Sequence, residues 1–425
     1  MLDLLDRWSH RGRWLLPLLA ALLFLPALFV PFMADDWIFV AMLEGSDVFP
    51  PRGPADLFHL DLGGEPWPGG VQGSLFQWWT SPDFQAWFFR PLSALTHALD
   101  AALWGRNAVA HHLTSLAWYV GLVALVGAIY RRTTTPAVAL LAGLIFAVDD
   151  CHAWPVGWIS NRNGVLGVLG AAVLLYGHHR WRQGGGQRWL LAGLAGYAAG
   201  LCSAEAALAG VGYVLAYEVC LTQGSWRSRA KAAAPALVMA LLYLGFWKLG
   251  GYGTRDSGLY LNPFEQPLRF VGSALPTRVP LLLLAALTPA QVDLSFLLTE
   301  GQIWVAAAVA MVVVAALLAA LSGTLRRDAT ARMFLLGGVI ALVPISATFA
   351  AGRNLLLPTM GLSYVLARAI VDGLSGEGSR GLARLLIFFH LILAPIGALL
   401  GLGSLGGLGQ VVNADCVVLA TEAPT

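Results

Sequence analysis

Asp35 and Asp36 stand side by side just past a first apolar block, in the run Phe32-Met33-Ala34-Asp35-Asp36-Trp37. A carboxylate at the edge of an apolar medium loses hydration, which raises its pKa and suits it to act as a general base or a metal ligand. Two adjacent carboxylates also repel each other when both ionise, which adds to that rise. The plain alternative is that polar residues end an apolar segment wherever it meets water. Isolated guanidinium groups follow: Arg90 in Phe89-Arg90-Pro91-Leu92, Arg162 in Trp158-Ile159-Ser160-Asn161-Arg162-Asn163, and Arg353 in Ala351-Gly352-Arg353-Asn354. An arginine fork can hold a phosphate bidentately, or simply reach lipid headgroups. Glu205, in Cys202-Ser203-Ala204-Glu205, lies near the end of an apolar hairpin. An acid at membrane depth is costly and is read as functional by default; its structural alternative is to pair with an arginine such as Arg162. Asp150 and His152 fall in Asp149-Asp150-Cys151-His152, a short loop crowded with polar groups.

These groups need elements to carry them. Of the 425 residues, 57% are hydrophobic and 12% charged, with a mean hydropathy of +0.68. A water-soluble domain carries roughly twice that share of charge. The apolar residues come in blocks of about 20, the length a helix needs to cross hydrocarbon. An open sheet would leave backbone groups unpaired in lipid, and the alternation of a barrel is absent. The chain therefore reads as an all-α polytopic transmembrane bundle. A net charge of +2 and the lack of a basic tract give no basis for a nucleic-acid partner. The four cysteines match no metal spacing; Cys151 and Cys416 both belong to outward segments, where burial as free thiols is the default over a bridge.

The block from Trp14 to Met33 follows Arg7, Arg11 and Arg13 without a small-residue cleavage site before Asp35, so it reads as a retained span. Short loops rich in Arg and Lys mark the cytoplasmic side: Arg11–Arg13, Arg131-Arg132, Arg180–Arg188, Arg227–Lys231, Arg326–Arg332 and Arg380–Arg384. With these inside, about 11 crossings (range about 10–13) fall at about 14–33, 108–130, 136–150, 162–178, 188–202, 205–222, 232–250, 302–322, 333–350, 355–372 and 384–407. Two long stretches, about 35–107 and 251–301, then stay on the non-cytoplasmic face. Within them Pro91–Trp104 reads as an interfacial helix and Val279–Leu287, set among prolines, as an in-plane or re-entrant one. Residues 1–410 form one membrane domain, and 411–425 a flexible tail. All the candidate groups share the outer face.

Taken in order, five places resemble the GT-C-type glycosyltransferases, polytopic enzymes with an acidic motif in the first outer loop. More narrowly, they resemble the membrane part of the tetratricopeptide-repeat O-mannosyltransferases and their bacterial relatives. The places are Asp35-Asp36; Arg90-Pro91-Leu92 with Leu103-Trp104-Gly105 and His111-His112-Leu113; His152 leading to Trp158-Ile159-Ser160-Asn161-Arg162; Ser203-Ala204-Glu205 before Tyr217-Glu218; and Arg353-Asn354-Leu355-Leu356-Leu357-Pro358-Thr359. The last is similar to the family's Arg-Tyr-Leu-Tyr-Leu-Pro-Ser run. Ala204 and Trp154 stand where the family has Lys and Glu, and no tetratricopeptide repeats stand among these residues.

The resemblance implies transfer of a sugar from a polyprenyl-phosphate donor to a hydroxyl on a protein, lipid or glycan, by inverting displacement on the non-cytoplasmic face. Asp35 or Asp36 would be the base, and Arg353, helped by Arg162 or Arg90, would hold the donor phosphate. Glu205, His152 and Asp150 would support them. No metal-ligand set and no cofactor are implied, and the resemblance does not decide for or against a divalent metal. Membrane lipids surround such a chain, and its high Gly, Ala and Leu content suits a bacterial inner membrane. Two other classes stand beside this one. A transporter or flippase of lipid-linked sugar would call for polar mid-span residues and broken helices. A non-catalytic assembly protein would keep the fold without the chemistry.

Overall fold

The computed structural model describes residues 2–45, 52–61, 80–81 and 83–422. Among them the apolar blocks fold as helices, which satisfy every backbone group within the segment. Seven helical segments are long and apolar enough to cross a membrane: Gly12–Phe29, Ala108–Thr133, Trp226–Leu249, Pro267–Leu287, Glu300–Ala320, Gly352–Ser375 and Arg380–Asn413. A bent pair, Pro136–Ala147 and Asp150–Gly157 at 48°, makes an eighth if taken as one broken span. The chain is thus an all-α, multi-pass bundle. Four other blocks expected to cross are helices as well: Arg162–Arg180, Gln187–Leu201, Gly210–Cys220 and Ala329–Ile345. They are shorter or less apolar than a lone span requires; Arg162–Arg180 and Gly210–Cys220 are largely buried in the bundle, while Gln187–Leu201 buries little beyond its glycine face.

Glycine sets the closest of these contacts. A Cβ on Gly170 would lie 2.5 Å from the Gly200 Cα, and one on Gly177 would lie 2.7 Å from the Gly193 Cα. The 162–180 and 187–201 helices therefore meet backbone to backbone, as small residues allow in apolar surroundings. Their short connection holds Arg180, Arg182 and Arg188 at one end of the bundle.

That end is laced with ion pairs. Arg182 and His178 both hold Glu218, at 2.9 and 2.8 Å. Arg327 and Arg368 hold Asp372, at 3.1 and 2.9 Å, and the Thr324 hydroxyl donates to the same carboxylate at 2.7 Å. The opposite end gathers Asp35, the turn before Arg162, the 202–209 turn and the 346–354 turn.

The second long stretch is tied to that opposite end at several points. Leu261 N–H donates to the Ala347 carbonyl, Arg278 to the carbonyls of Ser346 and Thr348, Gln291 to the Asp150 carboxylate, and Gly352 N–H to Asp293. Pro267–Leu287 has the length and hydropathy of a span, yet chain before, within and after it is tied to one end. The Pro91–Trp104 helix is held likewise, by Leu92 N–H on the Cys202 carbonyl and by Asp100 on Arg162.

Two features were not anticipated. A three-stranded antiparallel sheet joins the two outer stretches, with β1 (His59–Asp61) beside β2 (Gln85–Trp87) and β2 beside β3 (Gly253–Arg255). Its strands are three residues long, too short for alternation to reveal. The last helix also runs on to Glu422, into the segment expected as a flexible tail from the absence of any periodicity. Past Gly409 the chain carries no further glycine or proline up to Glu422, and Val411, Val412 and Val417–Ala420 continue its apolar character. Cys151, Cys202 and Cys220 are free, and the side chain of Cys416 lies outside the described residues.

In a cysteine-free background, Glu265→Cys and Glu300→Cys flank the 267–287 helix and are both exposed. Both are expected to react with a membrane-impermeant thiol reagent from the same side, and Glu377→Cys from the other. Labelling of Glu265→Cys and Glu300→Cys from opposite sides would show that the helix crosses.

Candidate active site

Asp35 opens the helix Asp35–Leu43, directly after Ala34, whose backbone sits at φ +44°, ψ −116°. A residue with a Cβ is costly there, and such strain persists where surrounding contacts hold it. The contacts are supplied by Asp36. Its carboxylate accepts from Met33 N–H at 3.1 Å, from Ser160 N–H at 2.7 Å and from the Ser160 hydroxyl. Asp36 thereby fastens the strained turn to the 159–161 turn and leaves Asp35 free to face a cavity. Burial pushes the Asp36 carboxyl up to about 7, against the opposing hydrogen bonds from Ser160 and Met33. Burial also raises Asp35, with Arg353 and Arg90 pulling it back down. The two adjacent acids thus play different parts. Asp36 is a structural tie, and Asp35 is unbonded among the described residues.

The cavity has a volume of about 680 Å³. Asp35, Arg90, Glu205 and Arg353 line it together with Trp158, Ser160, Asn161 and Asn163. Apolar walls complete it, from the last turns of the 226–249 helix, the end of the 329–345 helix and the Leu259–Phe264 segment. Arg353 is carried by a one-turn helix, Gly352–Leu355, fixed by the bond from Gly352 N–H to Asp293 and by Asn354 Nδ2 on the Phe349 carbonyl. Its guanidinium lies over the rings of Trp158 and Phe349, at 5.3 and 5.2 Å, and has no ion-pair partner among the described residues. An uncompensated cation resting on aromatic faces is a ready seat for an anion.

Arg90 is in a different state. Its Nε donates to Glu205 Oε2 at 2.8 Å, Nη2 lies within ion-pair distance of the same oxygen at 2.8 Å, and its guanidinium stacks on Phe88 at 4.2 Å. With the Asn163 amide oxygen turned toward it, Nη1 donates there at 3.0 Å, and the Asn163 amine reaches the Ser160 carbonyl at 3.0 Å. Glu205 thus pairs with Arg90, not with Arg162.

Three expected members lie elsewhere. Arg162 is fully buried and faces away from the cavity: it pairs with Asp100 at 2.5 Å and donates to the Ser115 hydroxyl and the His111 carbonyl, each at 2.9 Å. It sits at the start of its helix, packed among the 91–104 and 108–133 helices, and is not among the residues that line the cavity. His152 is buried between the Tyr119 hydroxyl at 2.9 Å and the Thr359 hydroxyl at 3.0 Å, bridging helices. Asp150 accepts from Gln291 at 3.0 Å and tethers the second outer stretch. Conversely, Tyr243, Trp247 and Asn262 line the cavity without having been singled out. No motif flags them, since they come from a helix end and a loop that only folding brings together.

The site fits a divalent cation poorly. Both Asp36 oxygens are taken by hydrogen bonds and Glu205 Oε2 is committed to Arg90, which leaves Asp35 and the single Oε1 of an already paired Glu205 where such ions gather about six or more oxygens. The grouping Asp149, Asp150 and Cys151 has ligand atoms within 4.8 Å of one another but lies outside the cavity lining. Compared with family models, curated proteins and solved structures, the chain matches none of them.

Two outcomes follow from the buried charges. Arg162→Met leaves Asp100 buried without its counter-charge and is expected to destabilise the protein by about 3–5 kcal/mol, seen as a lower melting temperature in detergent. The second concerns pH. Asp36 binds its proton more tightly folded (about 7) than unfolded (3.8). The stability this confers is complete below the unfolded value and is lost as pH rises through about 7. The melting temperature should fall over that window more steeply in the native protein than in Asp36→Asn.

Proposed function

We propose that this protein is a membrane glycosyltransferase of GT-C type, moving a sugar from a polyprenyl-phosphate donor to an acceptor hydroxyl on the non-cytoplasmic face. The observation that carries the reading is one cavity holding a carboxylate raised by burial, Asp35, and a cation without an acidic partner, Arg353. The Arg-rich opposite end supports the orientation, since such loops stay in the cytoplasm. A multi-pass bundle in a bacterial inner membrane suits a donor whose lipid tail lies in the same bilayer.

In this mechanism Asp35 takes the proton of the acceptor hydroxyl as its oxygen attacks the anomeric carbon. The bond from that carbon to the phosphate oxygen breaks, its electron pair stays on the phosphate, and polyprenyl phosphate leaves. Arg353 faces the charge that develops there, and such stabilisation accelerates only because it is stronger in the transition state than in the ground state. The Arg90–Glu205 pair is neutral overall and contributes shape and hydrogen bonds. Asp36 works through Asp35 by fixing the turn that presents it, so it is a positioning residue.

Purified protein supplied with a radiolabelled polyprenyl-phosphate hexose and a hydroxyl acceptor tests the reading. Asp35→Asn is expected to lower kcat by about 10²–10⁴-fold, and Arg353→Gln by about 10²–10³-fold. The acid limb of kcat/KM should lie above the ordinary carboxylate range, because the base works only once deprotonated and burial raises its pKa. Full activity in Asp35→Asn, or no transfer from any such donor, would overturn it.

A further inference from the structure

Buried polar atoms in folded proteins almost always have partners, so a cluster of them without any points to a guest. Five such atoms belong to residues that line the cavity beside Asp35. They are Trp158 Nε1, Asn161 Nδ2, Glu205 Oε1, Tyr243 Oη and Trp247 Nε1, each without a hydrogen-bond partner among the described residues. Tyr243 is itself 7% exposed, and its hydroxyl sits in an otherwise apolar wall. Tyr243 and Trp247 are one turn apart on the 226–249 helix, so they lie on the same face of it, and both line the cavity. The Phe89 ring, next to Arg90, packs against Tyr243 at 6.5 Å, which puts this wall beside the Arg90–Glu205 pair.

We infer that the Glu205, Tyr243 and Trp247 wall is a subsite for an uncharged, hydroxyl-bearing sugar ring, distinct from the anion seat at Arg353. The chemistry of the wall matches such a ring at each point. Glu205 uses only Oε2 for Arg90, so Oε1 is left to accept from a donor such as a sugar hydroxyl. The tyrosine hydroxyl and the tryptophan N–H offer donors to ring and hydroxyl oxygens, and their aromatic faces suit the C–H face of a pyranose. An alkyl chain would leave all of these atoms unpaired. An anionic ring would meet the Glu205 carboxylate, while the Arg90 charge is already neutralised.

Arg353 rests on the Trp158 and Phe349 rings, the wall is formed by residues that Arg353 does not contact, and Asp35 is under the influence of both Arg353 and Arg90. An anomeric carbon bridging ring and phosphate would then fall within reach of Asp35. The inference deepens the transferase reading and rests on it for the ring's attachment to a lipid phosphate.

Two sets of probes separate the subsite from that reading, with Trp158 and Trp247 as fluorescent reporters. Methyl α-D-glucopyranoside and methyl α-D-mannopyranoside probe the wall alone, with methyl glucuronide as the anionic control. Polyprenyl phosphate with and without a hexose probes the whole cavity. At least one neutral hexoside is expected to bind saturably at millimolar concentration and the glucuronide at least tenfold more weakly. Tyr243→Phe and Trp247→Phe, with unchanged melting temperatures, should weaken the hexoside and the hexose-bearing lipid about tenfold while leaving bare polyprenyl phosphate unaffected. Arg353→Gln should do the reverse to bare polyprenyl phosphate and spare the hexoside. No hexoside binding, equal binding of the glucuronide, or insensitivity to both wall variants overturns the subsite. Hexoside binding without binding of either lipid phosphate upholds the subsite and sinks the transferase reading.

Discussion

Arg162 is completely buried, and the cost of keeping a guanidinium out of water is met by the Asp100 carboxylate, the Ser115 hydroxyl and the His111 carbonyl. This one ion pair lies among the pieces of chain that deliver the cavity's charges. Asp100 belongs to the helix that Arg90 precedes, and Arg162 follows the turn whose Ser160 holds Asp36. Its other partners belong to the 108–133 helix. Geometry at the cavity therefore depends on a charge pair that never touches it. Were Arg162 free to turn toward an anion, the 91–104 helix would lose its anchor.

The same electrostatic rule explains why the cavity charges differ from one another. In a low-dielectric interior an ion needs a partner, and several of the ions described within the bundle have an opposite charge beside them: Arg90 with Glu205, Arg162 with Asp100, Glu218 with Arg182, Asp372 with Arg327 and Arg368. Asp35 and Arg353 both line the cavity without an ion-pair partner among the described residues, and the Arg353 charge pulls the raised Asp35 carboxyl back down. Five polar atoms without hydrogen-bond partners among the described residues belong to residues that line the same cavity.

The small sheet has a related structural role. Strand β2 belongs to the first outer stretch and β3 to the second, so their pairing joins the two at the cavity, which Ala86, Gly253 and Thr254 help to line. Gly253 in β3 allows the approach, because a Cβ there would lie 2.6 Å from the Trp247 ring and its φ is +122°. Trp247 is thus held between the helix that carries it and the sheet above it.

The sequence by itself determined that this is a multi-pass helical membrane protein. Blocks of apolar residues have only one way to satisfy their backbone in lipid, and the Arg-rich loops at 180–188, 226–231 and 326–332 fall at one end of the bundle. It also singled out Asp35, Arg90, Glu205 and Arg353, because charge beside an apolar block is conspicuous on grounds of cost alone. What a linear reading could not do was sort those charges by partner. Arg162, Arg90 and Arg353 look alike in sequence, each an isolated cation near the end of an apolar run. Only the tertiary structure decided that Arg162 belongs to Asp100, that Arg90 belongs to Glu205, and that Arg353 belongs to no acid among the described residues. Pairing is a property of distance in space, set by helix crossings at glycine contacts and by turns tied across hundreds of residues. Asp35 and Asp36 were inseparable for the same reason: which adjacent carboxylate is a tie and which faces the cavity depends on Ser160, 124 positions from Asp36 in the chain.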